Sequence, residues 1–288
     1  MASIVRVGPA GWSYQDWKGI VYPPRPGSRF DPLAYLAGFF DTIEINSTFY
    51  RPPSGATALS WVKRVNENSS LKFTVKLYRK FTHERGEATE EDWKACREGF
   101  DPLAEAGKLG AMLIQFPWSF KNTAETREYL SDLLDRFKEY PRVVELRHAS
   151  WNTPAVYESL ERRGVGFCNI DQPLFARSIG PSALSTSEVG YVRLHGRNYG
   201  NWFSEAASPA DRYDYLYSPG ELDPWIENVR TVAERSQETY VVTNNHYQGK
   251  GVVNALQIKA RLTGEKVPAP PALIECYPDE LEPIVLTS

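Results

Sequence analysis

Cysteine is scarce in this chain. Cys96, Cys168 and Cys276 are far apart, odd in number and without a CxxC pair, which argues against a disulfide framework or a thiolate metal site. Long apolar runs are missing too, and none approaches the roughly 20 residues of a membrane span. The opening MASIVRVGPAGWS has neither the charged start nor the apolar stretch of a signal peptide. The expectation is a soluble, cytoplasmic protein with no membrane partner. Nor is there an excess of either charge. With 33 Lys+Arg against 36 Asp+Glu the formal net charge is −3, without the basic footprint that accompanies broad nucleic-acid binding. A P-loop and an HExxH pair are absent, a GxSxG elbow is absent, and GPAGWSY lacks the GxGxxG spacing of a dinucleotide turn. These absences set aside the P-loop, zincin, serine-hydrolase and dinucleotide-binding classes.

What is present is ordinary globular material. Hydrophobic residues make up 42% and charged residues 24%, and a chain of 288 residues buries about 75% of its unfolded surface without staples. Eight short runs read as strands: Ile4–Gly8, Thr42–Asn46, Lys72–Leu77, Ala111–Phe116, Val143–Arg147, Gly166–Ile170, Tyr191–His195 and Tyr240–Asn244. Helical patterns fall between most of them, at Pro32–Phe39, Ala56–Asn66, Glu90–Ala106, Thr123–Glu139, Pro154–Arg163, Leu222–Arg235 and Gly251–Leu262. In Thr123–Glu139 the apolar Tyr129, Leu130, Leu133, Leu134 and Phe137 share one face. After the sixth strand, Gln172–Glu188 shows no long helix. Strands alternating with helices predict a parallel sheet with right-handed crossovers. Eight of them predict an α/β fold, a single (β/α)8 TIM-type barrel spanning 1–288.

A barrel keeps its chemistry at the carboxyl ends of its strands. Those positions carry Glu44, Asn46 and Tyr50 after strand two, Lys76 and His83 after strand three, and Gln115 after strand four. Strand five carries Glu145, Arg147, His148 and Trp151; strand six carries Asn169 and Asp171; strand seven carries Arg193, His195 and Arg197; and strand eight carries Asn244, Asn245 and His246. Side chains alternate along a strand, so Glu44 with Asn46, Glu145 with Arg147, and Arg193 with His195 share a face, and that face is expected to point inward. A satisfied polar core is the plain alternative, with Glu145–Arg147 or Glu44–Lys76 as paired charges. So many polar groups converging on one mouth nonetheless fit a ligand site.

Two chemistries compete for these groups. Glu44, Glu145, Asp171 and His195 are candidate ligands of an oxygen/nitrogen cage for Mg²⁺ or Mn²⁺, although Arg147, Arg193 and Lys76 on the same faces oppose a cation. The other chemistry is acid–base, with a carboxylate as base and a histidine as acid. Paired carboxylates also raise glycoside hydrolysis. The loops HGRNYGNW and NNHYQGKG suit an anion, with Arg197 and Lys250 adding charge, or they are simply tight turns at Gly249 and Gly251. Trp12, Trp118, Trp151, Trp202, Tyr14, Tyr50, Tyr199 and Phe203 fall in loops beyond strands, where flat faces suit sugars or bases or pack on one another. Gly196–Glu221 is long for such a loop, a length usual for lids and binding elements.

Taken in order, GWSYQDWKGIVYP, IEINSTFYRPP, FTVKLYRKFTH, LIQFPWSF, VVELRHASW, VRLHGR, RYDYLYS and NNHYQGKGVVNA resemble the signatures of the YecE-like family, domain of unknown function 72. The resemblance runs from about Gly8 to Ala260. It implies a TIM-type barrel and a distant relation to sugar isomerases. It carries over Glu44, Asn46, Thr48, Tyr50, Lys76, His83, Gln115, Glu145, Arg147, His148, Trp151, Arg193, His195, Gly196, Arg197 and Asn245, largely the set read from the strand ends.

The leading expectation is an enzyme acting on a small anionic sugar-like or phosphate-bearing substrate by isomerase- or lyase-type acid–base chemistry. Glu145 is its base, His195 or His148 its acid, and Glu44 a further catalytic candidate. Arg147, Arg193, Arg197, Lys76, Asn46, Tyr50, Gln115, Asn245, Trp151 and Trp12 are the expected substrate contacts. The alternatives are a non-catalytic module for a phosphate-bearing ligand or single-stranded nucleic acid, and a phosphoesterase that needs a divalent metal.

Overall fold

The computed structural model describes residues 3–200 and 209–286. The strands are β1 (Ile4–Pro9), β2 (Thr42–Ile45), β3 (Lys72–Lys76), β4 (Leu109–Gln115), β5 (Arg142–Glu145), β6 (Gly166–Asp171), β7 (Val189–Leu194) and β8 (Glu238–Thr243). All neighbouring pairs are parallel, in the order β1-β8-β7-β6-β5-β4-β3-β2. The ring closes between β1 and β2 through a bridge of Ala10 with Glu44, and the Gly11 amide donates to the Glu44 carbonyl at 2.8 Å. Gly8 permits that closure, because a Cβ there would stand 1.8 Å from the Thr42 carbonyl oxygen. The result is the α/β barrel expected from the strand count.

The helices are α1 (Pro32–Ala37), α2 (Ser47–Tyr50), α3 (Gly55–Arg64), α4 (Glu90–Glu105), α5 (Ala124–Arg136), α6 (Pro154–Arg162), α7 (Pro209–Arg212), α8 (Pro219–Ala233), α9 (Lys250–Thr263), α10 (Pro271–Cys276) and α11 (Pro278–Leu281). Their starts follow side-chain chemistry. Thr89 accepts from the Asp92 amide at α4 and Thr123 from the Thr126 amide at α5, each cap contributing about 1 kcal/mol. No helix covers 172–188 after β6, as the sequence pattern indicates.

Alternation of side chains produces two separate apolar clusters. Outward residues such as Ile43, Phe73, Ile114, Val144 and Val192 meet the helices, joined by Trp17 and Trp225. Inward residues Ala111, Leu113, Val143, Cys168, Ile170, Tyr191, Tyr240 and Val242 fill the barrel itself. Burying each large side chain contributes about 1.5–3 kcal/mol. The interior is therefore a packed core, and its polar side chains are confined to the layers near the strand ends. Among the described residues no helix is long and apolar enough to cross a membrane. Cys96, Cys168 and Cys276 are all free thiols.

Candidate functional site

The inward phase of β2, β5 and β7 brings Glu44, Glu145 and Arg193 together, all fully buried. Arg193 Nη2 donates to Glu44 Oε1 and Nη1 to Glu145 Oε2, both at 2.6 Å. The second oxygen of each carboxylate is occupied as well. Tyr191 Oη donates to Glu44 Oε2 at 3.0 Å, and Arg147 Nε and Nη2 donate to Glu145 Oε1 at 2.8 and 2.7 Å. Burial alone would raise the Glu145 carboxyl, but Arg193, Arg147 and His195 hold it well below the usual carboxylate range.

His195 lies on the same face, fully buried, with Nε2 3.3 Å from Glu145 Oε1. Burial lowers its pKa to about 3 despite that carboxylate, so the ring is neutral. Nδ1 lies 3.1 Å from Asn244 Nδ2, and Nε2 also lies 3.3 Å from Arg147 Nη2 and 3.4 Å from Arg193 Nη1, so the ring is held among both guanidinium groups and the Glu145 carboxylate.

Above this layer stand the groups nearer solvent. Arg147 retains 14% exposure of its side chain. Lys76, partly buried, holds its Nζ 4.3 Å from the centroid of the Phe49 ring. Burial and then the guanidinium of Arg193 push its ammonium down to about 7, reinforced by Arg147 and opposed by Glu44 and Glu145. His83 packs edge-on against Phe49 at 4.9 Å and bonds Thr82 Oγ1. Burial, Lys76 and Arg147 lower its pKa to about 4. At or just beyond neighbouring strand ends, Gln115 Oε1, Trp118 Nε1 and His148 Nε2 are buried without a hydrogen-bond partner among the described residues. Asn46 leads into α2, and the Tyr14 hydroxyl donates to the Ala10 carbonyl at 2.9 Å while its ring stacks on His246 at 4.3 Å.

Several expected contacts fall elsewhere. Arg193 is sealed inside the barrel between two carboxylates, so it organises the site from below and does not face the mouth. Arg197 is tied to Asp171 at 3.0 Å and to Glu221 at 3.4 Å. Asn245 points outward, donating to the Tyr215 carbonyl and to Asn254 Oδ1, both at 2.8 Å. The side chain in phase with Tyr240 and Val242 is Asn244, and alternation along β8 carries that signal. Trp151 is 1% exposed, donates to the Phe120 carbonyl and stacks on Phe120, so it is core. Trp12 packs edge-on against Trp61 at 5.8 Å. Tyr50 is 67% exposed, and the single turn of α2 turns the neighbouring Phe49 toward Lys76 instead. Phe49 had no signal in the sequence, since its direction depends on that turn.

A carboxylate cage does not assemble. Asn169 and Asp171 lie on the outer face of β6, where Cys168 and Ile170 take the inner one. Asp171 accepts from Trp225 Nε1 at 3.0 Å and pairs with Arg197. Glu44 and Glu145 are committed to arginines, and among the described residues no three His, Cys, Asp or Glu side chains gather as metal ligands. Gly249 sits at φ +76°, and Lys250 pairs with Asp214. Trp202 and Phe203 lie outside the described residues.

Comparison with known proteins agrees with this architecture. A DUF72 family protein from Thermotoga maritima is 36% identical, superimposes with a TM-score of 0.78, and the match covers 90% of this chain and 99% of that one. A DUF72 family protein from Enterococcus faecalis gives a TM-score of 0.78 at 25% identity, over 90% and 96% of the two chains. UPF0759 protein YunF of Bacillus subtilis is 28% identical over 269 residues, which is 88% of this chain and 93% of YunF. The family model described as "Protein of unknown function DUF72" matches residues 6–274, and the chain belongs to that family.

Proposed function

We propose that the protein is an enzyme that binds a small anionic, hydroxylated carbonyl compound, such as a sugar phosphate or sugar acid, and rearranges it by proton transfer as an isomerase or lyase does. The observation that carries this reading is Lys76, a cation in the mouth of the barrel that makes no ion pair with a carboxylate among the described residues. With its pKa near 7 it exists as amine and ammonium in comparable amounts, the condition for an efficient general base or acid at neutral pH. Arg147 supplies the positive charge beside it for the acid group of the substrate. Glu145, expected from the sequence to be the base, is too firmly held as a carboxylate by two arginines to take a proton readily. It acts instead as the group that positions Arg147 and His195.

The test is proton exchange. The protein is incubated in D₂O with a panel of sugar phosphates and sugar acids, and the C–H signals next to each carbonyl are followed by NMR. Loss of one such signal, abolished by Lys76→Met, supports the reading. A thermal-shift screen of the same panel reads binding without chemistry, since a ligand at 100 times its Kd adds about 2.7 kcal/mol. Binding without exchange would make the protein a ligand-binding module. Neither binding nor exchange would remove the site.

A further inference from the structure

Among the described residues, the polar groups around Lys76 leave its amine without a hydrogen-bond partner. Both oxygens of Glu44 and both of Glu145 already accept hydrogen bonds, from Arg193, Tyr191 and Arg147. Four residues earlier on the same strand, Lys72 reaches both oxygens of Glu238 at 2.8 Å, and Lys259 has Asp41 at 3.1 Å. Among the described residues, the Lys76 ammonium makes no ion pair or hydrogen bond and stands 4.3 Å from the centroid of the Phe49 ring.

Its backbone, in contrast, is fixed firmly. The buried Thr48 hydroxyl accepts from the Lys76 amide at 3.1 Å and donates to the Lys76 carbonyl at 2.7 Å, which clamps the end of β3 to the turn that carries Phe49. A rigid backbone, an apolar wall and an unpaired amine beside a guanidinium are the surroundings of a nucleophilic lysine.

We propose that Lys76 is an imine-forming nucleophile for the carbonyl carbon of an anionic aldehyde or ketone held by Arg147. This deepens the proposed function and rests on it. The neutral amine adds to the carbonyl carbon, forming a C–N bond as the C=O π pair moves to oxygen, which takes up a proton. The nitrogen loses a proton to water at the mouth. The hydroxyl then takes a proton and leaves as water while the nitrogen lone pair forms C=N, and the iminium nitrogen gives its remaining proton back to water, so amine plus carbonyl give imine plus water. An imine at this carbon acidifies the adjacent C–H, the proton whose exchange the proposed function predicts.

The experiment is reductive trapping on the full chain at neutral pH. Glyceraldehyde 3-phosphate and pyruvate are each incubated with sodium cyanoborohydride, and tryptic peptides are weighed by mass spectrometry. The expected result is a single secondary-amine adduct on the peptide containing Lys76, absent in Lys76→Arg. Labelling of Lys76 should exceed that of surface lysines by at least roughly tenfold. A group at about 7 is roughly half neutral at pH 7, whereas an ordinary lysine is neutral in about one molecule in 10³. The labelling rate should rise to half its maximum near pH 7, with Arg193, Arg147, Glu44, Glu145 and His83 as the charged or titratable groups facing the amine. An adduct spread evenly over the lysines overturns the proposal. So does the absence of an adduct at Lys76 while C–H exchange still depends on Lys76, in which case proton transfer stands alone. Loss of both adduct and exchange overturns the proposed function together with the imine.

Discussion

The polar groups near the carboxyl ends of the strands fall into a closed lower layer and an open upper layer, built on opposite principles. In the lower layer Glu44, Tyr191, Arg193 and Glu145 are completely buried, and both carboxylates are hydrogen-bonded at each oxygen. In the upper layer, among the described residues, the Lys76 amine makes no hydrogen bond and Gln115, Trp118 and His148 keep unpartnered polar atoms, whereas in the lower layer only Arg193 Nε is unpartnered. Burial of a charge is tolerated only when it is paired and hydrogen-bonded, so the closed layer is the frame and the open layer is where a ligand has something to complete.

The largest break in this comparison comes from Arg193→Met. Removing the shared cation leaves the buried Glu44 without an ion-pair partner and Glu145 with Arg147 alone, at a cost of about 3–5 kcal/mol, and a melting point roughly 10 °C lower by calorimetry.

Acid separates the layers next. His195 has a folded pKa of about 3, below its unfolded value, so the unfolded chain binds the extra proton between the two. Its contribution to stability is complete above about pH 6.5 and declines as pH falls toward 3, at up to about 1.4 kcal/mol per pH unit. The depressed Glu145 adds a contribution that is present above about pH 4.3 and is lost as the pH drops further. Melting points measured from pH 8 to pH 4 should fall, and His195→Gln should flatten the limb that begins near neutrality.

Outside the barrel, Asn245→Ala should cost about 1–3 kcal/mol, since Asn254 and the Tyr215 carbonyl lose a buried partner. The smallest effect on stability belongs to the open layer. Lys76→Met should change the unfolding free energy by no more than about 0.5 kcal/mol in urea titrations, because no ion pair is lost. The same variant should lose all C–H exchange. A large destabilisation by Lys76→Met would place that lysine in the frame.

Much of the frame was legible in the sequence. The periods of Thr123–Glu139 and Leu222–Arg235 match α5 and α8, and the eight apolar runs match the eight strands within a few residues. The phase of β7 could be read because Leu194 is the apolar neighbour between Arg193 and His195. β6 could not be read in the same way. Both faces of a parallel barrel strand are buried, and Asn169 is polar on the outer face because it has work there. Its amide bonds Leu184 N and O and Ser182 Oγ, securing a connection that no helix covers. Asn244 and Asn245 were equally plausible by composition, and only the phase set by Val242 separates them.

The sequence by itself determined the barrel, because strand and helix periods are local properties written in neighbouring residues. It also determined which strand ends are rich in chemistry. Tertiary structure alone decided which of those charges neutralise one another. Glu44, Glu145 and Arg193 come from β2, β5 and β7, and their pairing depends on distances across the barrel that no local pattern encodes. The Lys76 amine is left open for the same physical reason: every oxygen of those two carboxylates had already been taken.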